Sequence, residues 1–269
     1  MIITVEATNS RSAVLELPLD DVLSGLVMQD IEGLDPVKAT IVTSSFAQQD
    51  GVQYQSSRRD QRDIKLSIGL EPDYTVDTVQ GLRSRLYRHF MPKSEVSLRF
   101  IDDSGLAVTI SGRVETCEAP LFVEEPQMDV NIVCFDPDFV GDEPVVISGN
   151  TTSTETEMEI DYDGTVETGV EFTLTANRAV PSFSIYHRLA NGDRRELDFN
   201  FALEAGQSVV ITTSPGEKGA TIAGTSVLYG ITPQSNWISL EPGSNFIRVY
   251  AEGAPVPFTL QYTNKYGGL

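Results

Sequence analysis

Two histidines, two cysteines and a run of alternating carboxylates are the residues of this chain best suited to chemistry, and their spacing limits what they can do. His89 and His187 fall in different predicted halves, so a Ser-His-Asp triad would have to span both, and no Gly-x-Ser-x-Gly elbow supports one. His89 reads as a cation at a helix C-terminus and His187 as a polar residue at a strand end. Cys117 and Cys134 are too few for a disulfide framework. If their segments pair as a hairpin around Glu124 to Gln127, they do not fall opposite each other, so both are expected as buried, reduced thiols. No histidine cluster, Cys-x-x-Cys pair or phosphate-cradling glycine loop occurs, and no cofactor or metal is expected.

Glu155, Glu157, Glu159, Asp161 and Asp163 take every second position, with Thr156, Met158, Ile160 and Tyr162 between them. A strand here presents one carboxylate face and one more apolar face. A calcium loop starting at Asp161 and Asp163 fails, because Val166 stands where the glycine is needed and Phe172 where the bidentate glutamate is needed. The run reads instead as a solvated face that also resists edge-to-edge strand pairing. A glycosidase pair drawn from the many carboxylates has only their abundance behind it, and the chain is not expected to be an enzyme.

The elements that carry these residues are mostly strands. One helix is expected over about residues 76–90, where Val76, Val79, Leu82, Leu86 and Phe90 recur at helical spacing. Thr75 or Asp77 can cap its start, Arg83, Arg85, Arg88 and His89 load its C-terminal half, and Pro92 stops it. Before it Ile64, Leu66 and Ile68 alternate along Asp63 to Leu70, and after it Val96, Leu98 and Phe100 do the same, so the helix should bridge two strands and pack on their sheet. Asp102-Asp103-Ser104-Gly105 turns the second of these into a hairpin with Leu106 to Glu115.

Met128 to Val140 then marks a junction. A strand runs into Cys-Phe-Asp-Pro-Asp-Phe, where proline withholds an amide and biases its predecessor away from helix. Asp136 to Gly149 is expected to be a hinge between domains of residues 1–141 and 142–269. From Gly149 on, short strand signals between Gly, Pro, Asn and Asp turns run from Glu155–Tyr162 to Pro257–Asn264, including Trp237–Leu240, and point to an antiparallel sandwich. The fold class is mainly β, an N-terminal sandwich or barrel-like sheet with one helix followed by a C-terminal antiparallel β-sandwich.

With 269 residues, 39 acidic against 19 basic and a formal charge of -20, the chain repels phosphate backbones and anionic headgroups. No stretch nears the apolar length that spans a bilayer, and Met1 to Leu17 lacks the layout of a signal peptide, so the protein is expected to be made and kept in a cytosol. Against that acidic background, Arg58 to Arg99 holds nine basic and six acidic residues. Arg58, Arg59, Arg62, Lys65, Arg83, Arg85 and Arg88 are the candidate subunit-interface residues, a basic face that acidic copies could meet head to tail.

The order of these features resembles the distal tail protein (Dit) family of long-tailed bacteriophages. The resemblance runs through Asp50-Gly51, Arg59-Asp60-Gln61-Arg62-Asp63-Ile64-Lys65-Leu66, the helix with Leu82, Arg83 and Leu86, Pro92-Lys93, Gly112-Arg113-Val114-Glu115 and Cys134-Phe135-Asp136-Pro137-Asp138-Phe139. In the second half it adds Trp237-Ile238-Ser239-Leu240-Glu241-Pro242-Gly243-Ser244-Asn245, Ile247 and Gln261 to Gly268. The resemblance implies a structural virion protein at the tail tip, assembled in the host cytoplasm. It implies an N-terminal belt domain closing a hexameric ring around a channel through which DNA passes without specific binding, and a galectin-like C-terminal sandwich. Implied partners are the tail tube protein, the tail-associated baseplate hub and a receptor-binding protein.

Two departures qualify this. The second half shows no large inserted segment, so an extended arm is not expected. Nor does it carry the His-x-Asn-x-Arg and Trp-Gly-x-Glu runs of sugar-binding galectins: His187 sits in Tyr186-His187-Arg188-Leu189, and Ile238 follows Trp237. A carbohydrate-binding module used in host adhesion is the alternative reading.

Overall fold

Alternating apolar and polar residues build most of the N-terminal unit, which comprises Met1–Asp142 together with Gly267–Leu269. The computed structural model describes residues 1–19, 24–47, 50–120 and 124–269. In chain order the unit contains β1 (Ile2–Asn9), β2 (Val14–Pro18), β3 (Leu26–Glu32), β4 (Ala39–Ser44), β5 (Gln53–Arg59), β6 (Arg62–Leu70), α1 (Val79–His89), β7 (Glu95–Asp102), β8 (Ala107–Glu118), β9 (Gln127–Cys134) and the start of β10 (Phe139–Asn150). Antiparallel pairing gives the order β2-β1-β7-β8-β9-β6-β3, while among the described residues β4 and β5 form a separate two-stranded sheet. Ile64, Leu66 and Ile68 of β6, Val96, Leu98 and Phe100 of β7, and Val130 and Ile132 of β9 are buried, as period-two alternation requires.

The helix joins β6 to β7 and buries Leu82 and Leu86, but it begins at Val79 and not near residue 76. Asp73 is the cause. Its carboxylate accepts from the Thr75 amide and hydroxyl, and its carbonyl accepts from the Val76 and Asp77 amides, so a turn consumes the donors an earlier helix start would leave open. Thr78, and neither Thr75 nor Asp77, is the N-cap, its hydroxyl accepting from the Gly81 amide at 3.1 Å.

The junction is corrected too. The two units divide between Asp142 and Glu143, inside the expected Asp136 to Gly149 segment, but the segment is strand from Phe139 onward. Pro137 falls between β9 and β10, while Pro144 is accommodated within β10. Beyond it Val145 and Ile147 resume the alternation and pack against the second core.

The second unit, Glu143–Tyr266, adds β11 (Met158–Tyr162), β12 (Thr168–Gly169), β13 (Glu171–Thr175), β14 (Phe183–Leu189), β15 (Arg194–Phe199), β16 (Ser208–Thr212), β17 (Gly219–Ile222), β18 (Thr225–Ser226), β19 (Ser239–Leu240), β20 (Gly243–Tyr250) and β21 (Pro257–Tyr266). One sheet runs β18-β17-β16-β13-β21-β10 and the other β11-β20-β14-β15, with a short β12–β19 ladder. Between the sheets Phe172 stands 5.3 Å from Phe258 and 5.8 Å from Phe183, and Phe183 stands 5.0 Å from Phe199, ring centroid to centroid. The mainly β class and the antiparallel sandwich are as the sequence predicts. Two strands are shorter than expected. The Glu155–Tyr162 signal forms strand only from Met158, because Thr152, Thr154 and Thr156 hydrogen-bond hydroxyl to hydroxyl and Thr152 takes the Thr154 amide. Trp237–Leu240 shrinks to Ser239–Leu240.

Candidate assembly surface

The hairpin of β4 and β5 is built against ordinary strand economics. Every residue of β5 is exposed, Ile41, Val42 and Tyr54 are 62%, 49% and 61% exposed, and Phe46 and Val52 add 57% and 66% near the turn. An isolated two-stranded ribbon is marginal in water. This one is held at its root. Asp60 donates its amide to the Lys38 carbonyl at 3.0 Å and accepts from the Thr40 hydroxyl at 2.8 Å. Arg59, the last residue of β5, forms a bidentate pair with the buried Asp138 carboxylate, one arm of it 2.8 Å long. Gln55 to Ser44 and Tyr54 to Ser57, each at 2.8 Å, stiffen the ribbon further.

The seven predicted interface residues divide. Arg58 lies on this exposed ribbon, Arg59 closes its root, and Lys65 pairs with Glu32 at 3.2 Å on β6. Arg85 and Arg88 are exposed on α1. Arg83 is buried and donates to the Ala119 carbonyl at 2.8 Å. Arg62 is the most enclosed. Only 1% exposed, it donates from Nε to Pro137, from Nη1 to Gly33 and Asp35, and from Nη2 to Gly267, all backbone carbonyls at 2.5 to 2.7 Å, with its guanidinium 4.4 Å from the Phe139 ring centroid. Burial lowers its pKa, yet an arginine keeps its charge, and four carbonyl dipoles answer it. The single basic face expected from sequence is therefore split between exposed and internal arginines.

The remaining chemical candidates are structural. Burial, with Arg85 and Arg88 close by, pulls His89 below the ordinary imidazole value, which disfavours the charged ring expected at the helix C-terminus. His187 is in the core of the second unit and not at a polar strand end. Cys134 is buried but Cys117 only half so, its sulfur 3.4 Å from that of Met128, and β8–β9 register sets Cys117 opposite Val130. Trp237 is half-buried against the second core, with the Lys218 ammonium 5.8 Å from its ring centroid.

In the acidic run, Glu157 is bidentate to Arg188, which holds its carboxyl below the usual range. Arg188 itself lies over Phe246 at 4.0 Å, and Arg248 over Tyr186 at 4.2 Å. Arg188, Arg194, Arg195 and Arg248 line an open cleft of about 460 Å³ with Glu155, Glu157, Glu196 and Asp198, so its charges balance. Among the described residues no group of three or more His, Cys, Asp or Glu is placed to hold a metal, and no helix is long and apolar enough to cross a membrane.

Residues 163–266 match the model of a siphovirus-type tail component, C-terminal domain, and residues 22–111 that of a phage tail protein RIFT-related domain. The crystal structure of the Dit protein of phage SPP1, described as a paradigm of the hub adsorption apparatus in phages infecting Gram-positive hosts, superposes with a TM-score of 0.68 at 15% identity over 97% of this chain and 98% of that one. At such identity the likeness is one of fold. A chain of the phage P2 baseplate in its activated conformation aligns over 100% of both chains at 9% identity, with a TM-score of 0.47. No curated protein matches the sequence.

Proposed function

We propose, from the premise that the chain belongs to the distal tail protein family of siphophages, that it is a structural protein of the phage tail whose copies close into a hexameric ring through the β4–β5 hairpin. The exposed ribbon is the observation that carries this. It offers the exposed side chains of Ile41, Val42 and Tyr54 on a rooted support, and a second copy of the same chain covers them without a new partner. A repeated heterologous contact of this kind closes a ring when its rotation closes.

In the virion the ring sits at the distal end of the tail, between the tail tube protein and the baseplate hub, with a receptor-binding protein as a further neighbour. Assembly takes place in the host cytoplasm. The protein performs no catalysis. Its formal charge of -20 suits a channel that must let DNA slide without binding it.

The test is light scattering coupled to gel filtration, followed by negative-stain imaging, on the full chain alone and mixed with the hub protein. Six-fold annular particles are expected from the parent, and folded monomers from Ile41→Asp. A parent chain that stays monomeric at every concentration, with and without the hub, sinks the reading.

A further inference from the structure

The carbonyls that Arg62 gathers come from segments far apart in sequence, and all of them bear on the hairpin root. Gly33 and Asp35 belong to the lead into β4, Pro137 precedes the Asp138 that Arg59 grips, and Gly267 begins the C-terminal tripeptide. The tripeptide touches the same lead directly. Leu269 donates its amide to the Leu34 carbonyl at 3.0 Å, and a Cβ on Gly268 would fall 2.7 Å from Pro36 Cδ and 2.9 Å from its nitrogen. Arg62 itself begins β6, whose ladder to β9 pairs it with Cys134, so the guanidinium is anchored to the sheet and not to the ribbon.

A guanidinium with its nitrogens spent on four carbonyls fixes those carbonyls relative to one another, because its donors are planar and rigid. We infer that Arg62 is the positioning residue of the β4–β5 hairpin, and that through it the C-terminal tripeptide Gly267–Leu269 sets how the hairpin is presented for self-assembly. This rests on the reading of the hairpin as the assembly element. It assigns to residues 267–269 a part in ring closure that neither the ribbon nor the tripeptide shows alone.

The experiment compares the full-length parent with Gly268→Ala, Arg62→Lys and Arg62→Gln by amide hydrogen exchange and by light scattering. Gly268→Ala wedges the tripeptide off the lead and keeps Arg62, so it should fold. Exchange at the root amides of Thr40 and Asp60 is expected to rise about tenfold or more, with Ile64 and Leu66 of β6 unchanged. The concentration for half-assembly should rise with it. Arg62→Lys, keeping the charge but fewer donors, should fall between the parent and Arg62→Gln.

Root exchange that stays at the parental rate in Gly268→Ala overturns the inference, as does acceleration spread equally over β6. A parent that never assembles, combined with selective loosening of the root, removes the ring reading and leaves the positioning role standing. Assembly that fails in Ile41→Asp and stays parental in a loosened Gly268→Ala keeps the ring reading and overturns the tripeptide's part in self-assembly.

Discussion

His187 Nε2 lies 3.0 Å from Asn245 Oδ1 inside the C-terminal sandwich, and the amide's own contacts settle which atom gives the proton. Asn245 donates from Nδ2 to the carbonyls of Glu241 and Gly243, at 2.7 and 2.8 Å, and its Oδ1 accepts from the Glu241 amide. That oxygen can only accept, so His187 carries its proton on Nε2, and its buried Nδ1 is bare and has no partner among the described residues.

A pH dependence follows from that bare nitrogen. Burial holds His187 below the ordinary imidazole value, Arg195 acts the same way, and the Asn245 bond and Glu241 partly oppose them. Unfolded, the ring takes a proton near 6.5. The unfolded chain therefore binds more protons once the pH drops below that value, and stability that is full above it is lost as pH falls toward the folded ring's lower value. The loss has a limiting slope of about 1.4 kcal/mol per pH unit. His187→Gln keeps a donor for Asn245 and cannot titrate. Denaturant midpoints at pH 7.5 and 5.5 should show a larger fall for the parent than for this variant, and equal falls would contradict the assignment, with His89 common to both proteins.

The two thiols should be inert in the folded chain. Desolvation pushes Cys117 and Cys134 each up to about 11, which leaves roughly one part in a thousand as thiolate at pH 8. Cys134 is also sealed beside Arg62. A disulfide-exchange reagent at pH 8 is expected to modify neither within minutes, Cys117 first over longer times, and both at once in denaturant. A burst of one equivalent from native protein would show an open thiol.

How legible each part was depends on how far its causes reach along the chain. Strands β6, β7 and β8 could be read because Ile64, Leu66, Val96, Leu98, Val108 and Ile110 alternate within a few residues of each other. The helix start departs from its apolar spacing over a single side chain, since Asp73 builds a turn at Val76, which is 85% exposed despite its helical spacing. The β4–β5 ribbon gives no period-two signal at all, because Gln53–Arg59 faces solvent on both sides. Arg62 was legible only as one basic residue in a basic run. A lone arginine reads as surface, and the carbonyls that enclose it, at 33, 35, 137 and 267, are brought together by tertiary structure alone.

Gly33 offers the sharpest test of that enclosure. Its φ is +93°, a conformation L side chains rarely adopt, and a Cβ there would strike the Asp63 carbonyl oxygen and lie 3.2 Å from Ile64 Cα, both backbone atoms of β6 that cannot swing away. Gly51 shares the conformation at +90° with nothing within 4 Å. Gly51→Ala therefore isolates backbone strain, about 1 kcal/mol, while Gly33→Ala adds displacement of the chain just beside Arg62, for a loss of about 3 kcal/mol or more. In thermal unfolding the first variant should melt within a few degrees of the parent, and the second about 5–10 °C lower. Equal losses would mean that the strained φ alone, and not the close approach of residue 33 to β6, makes glycine necessary there.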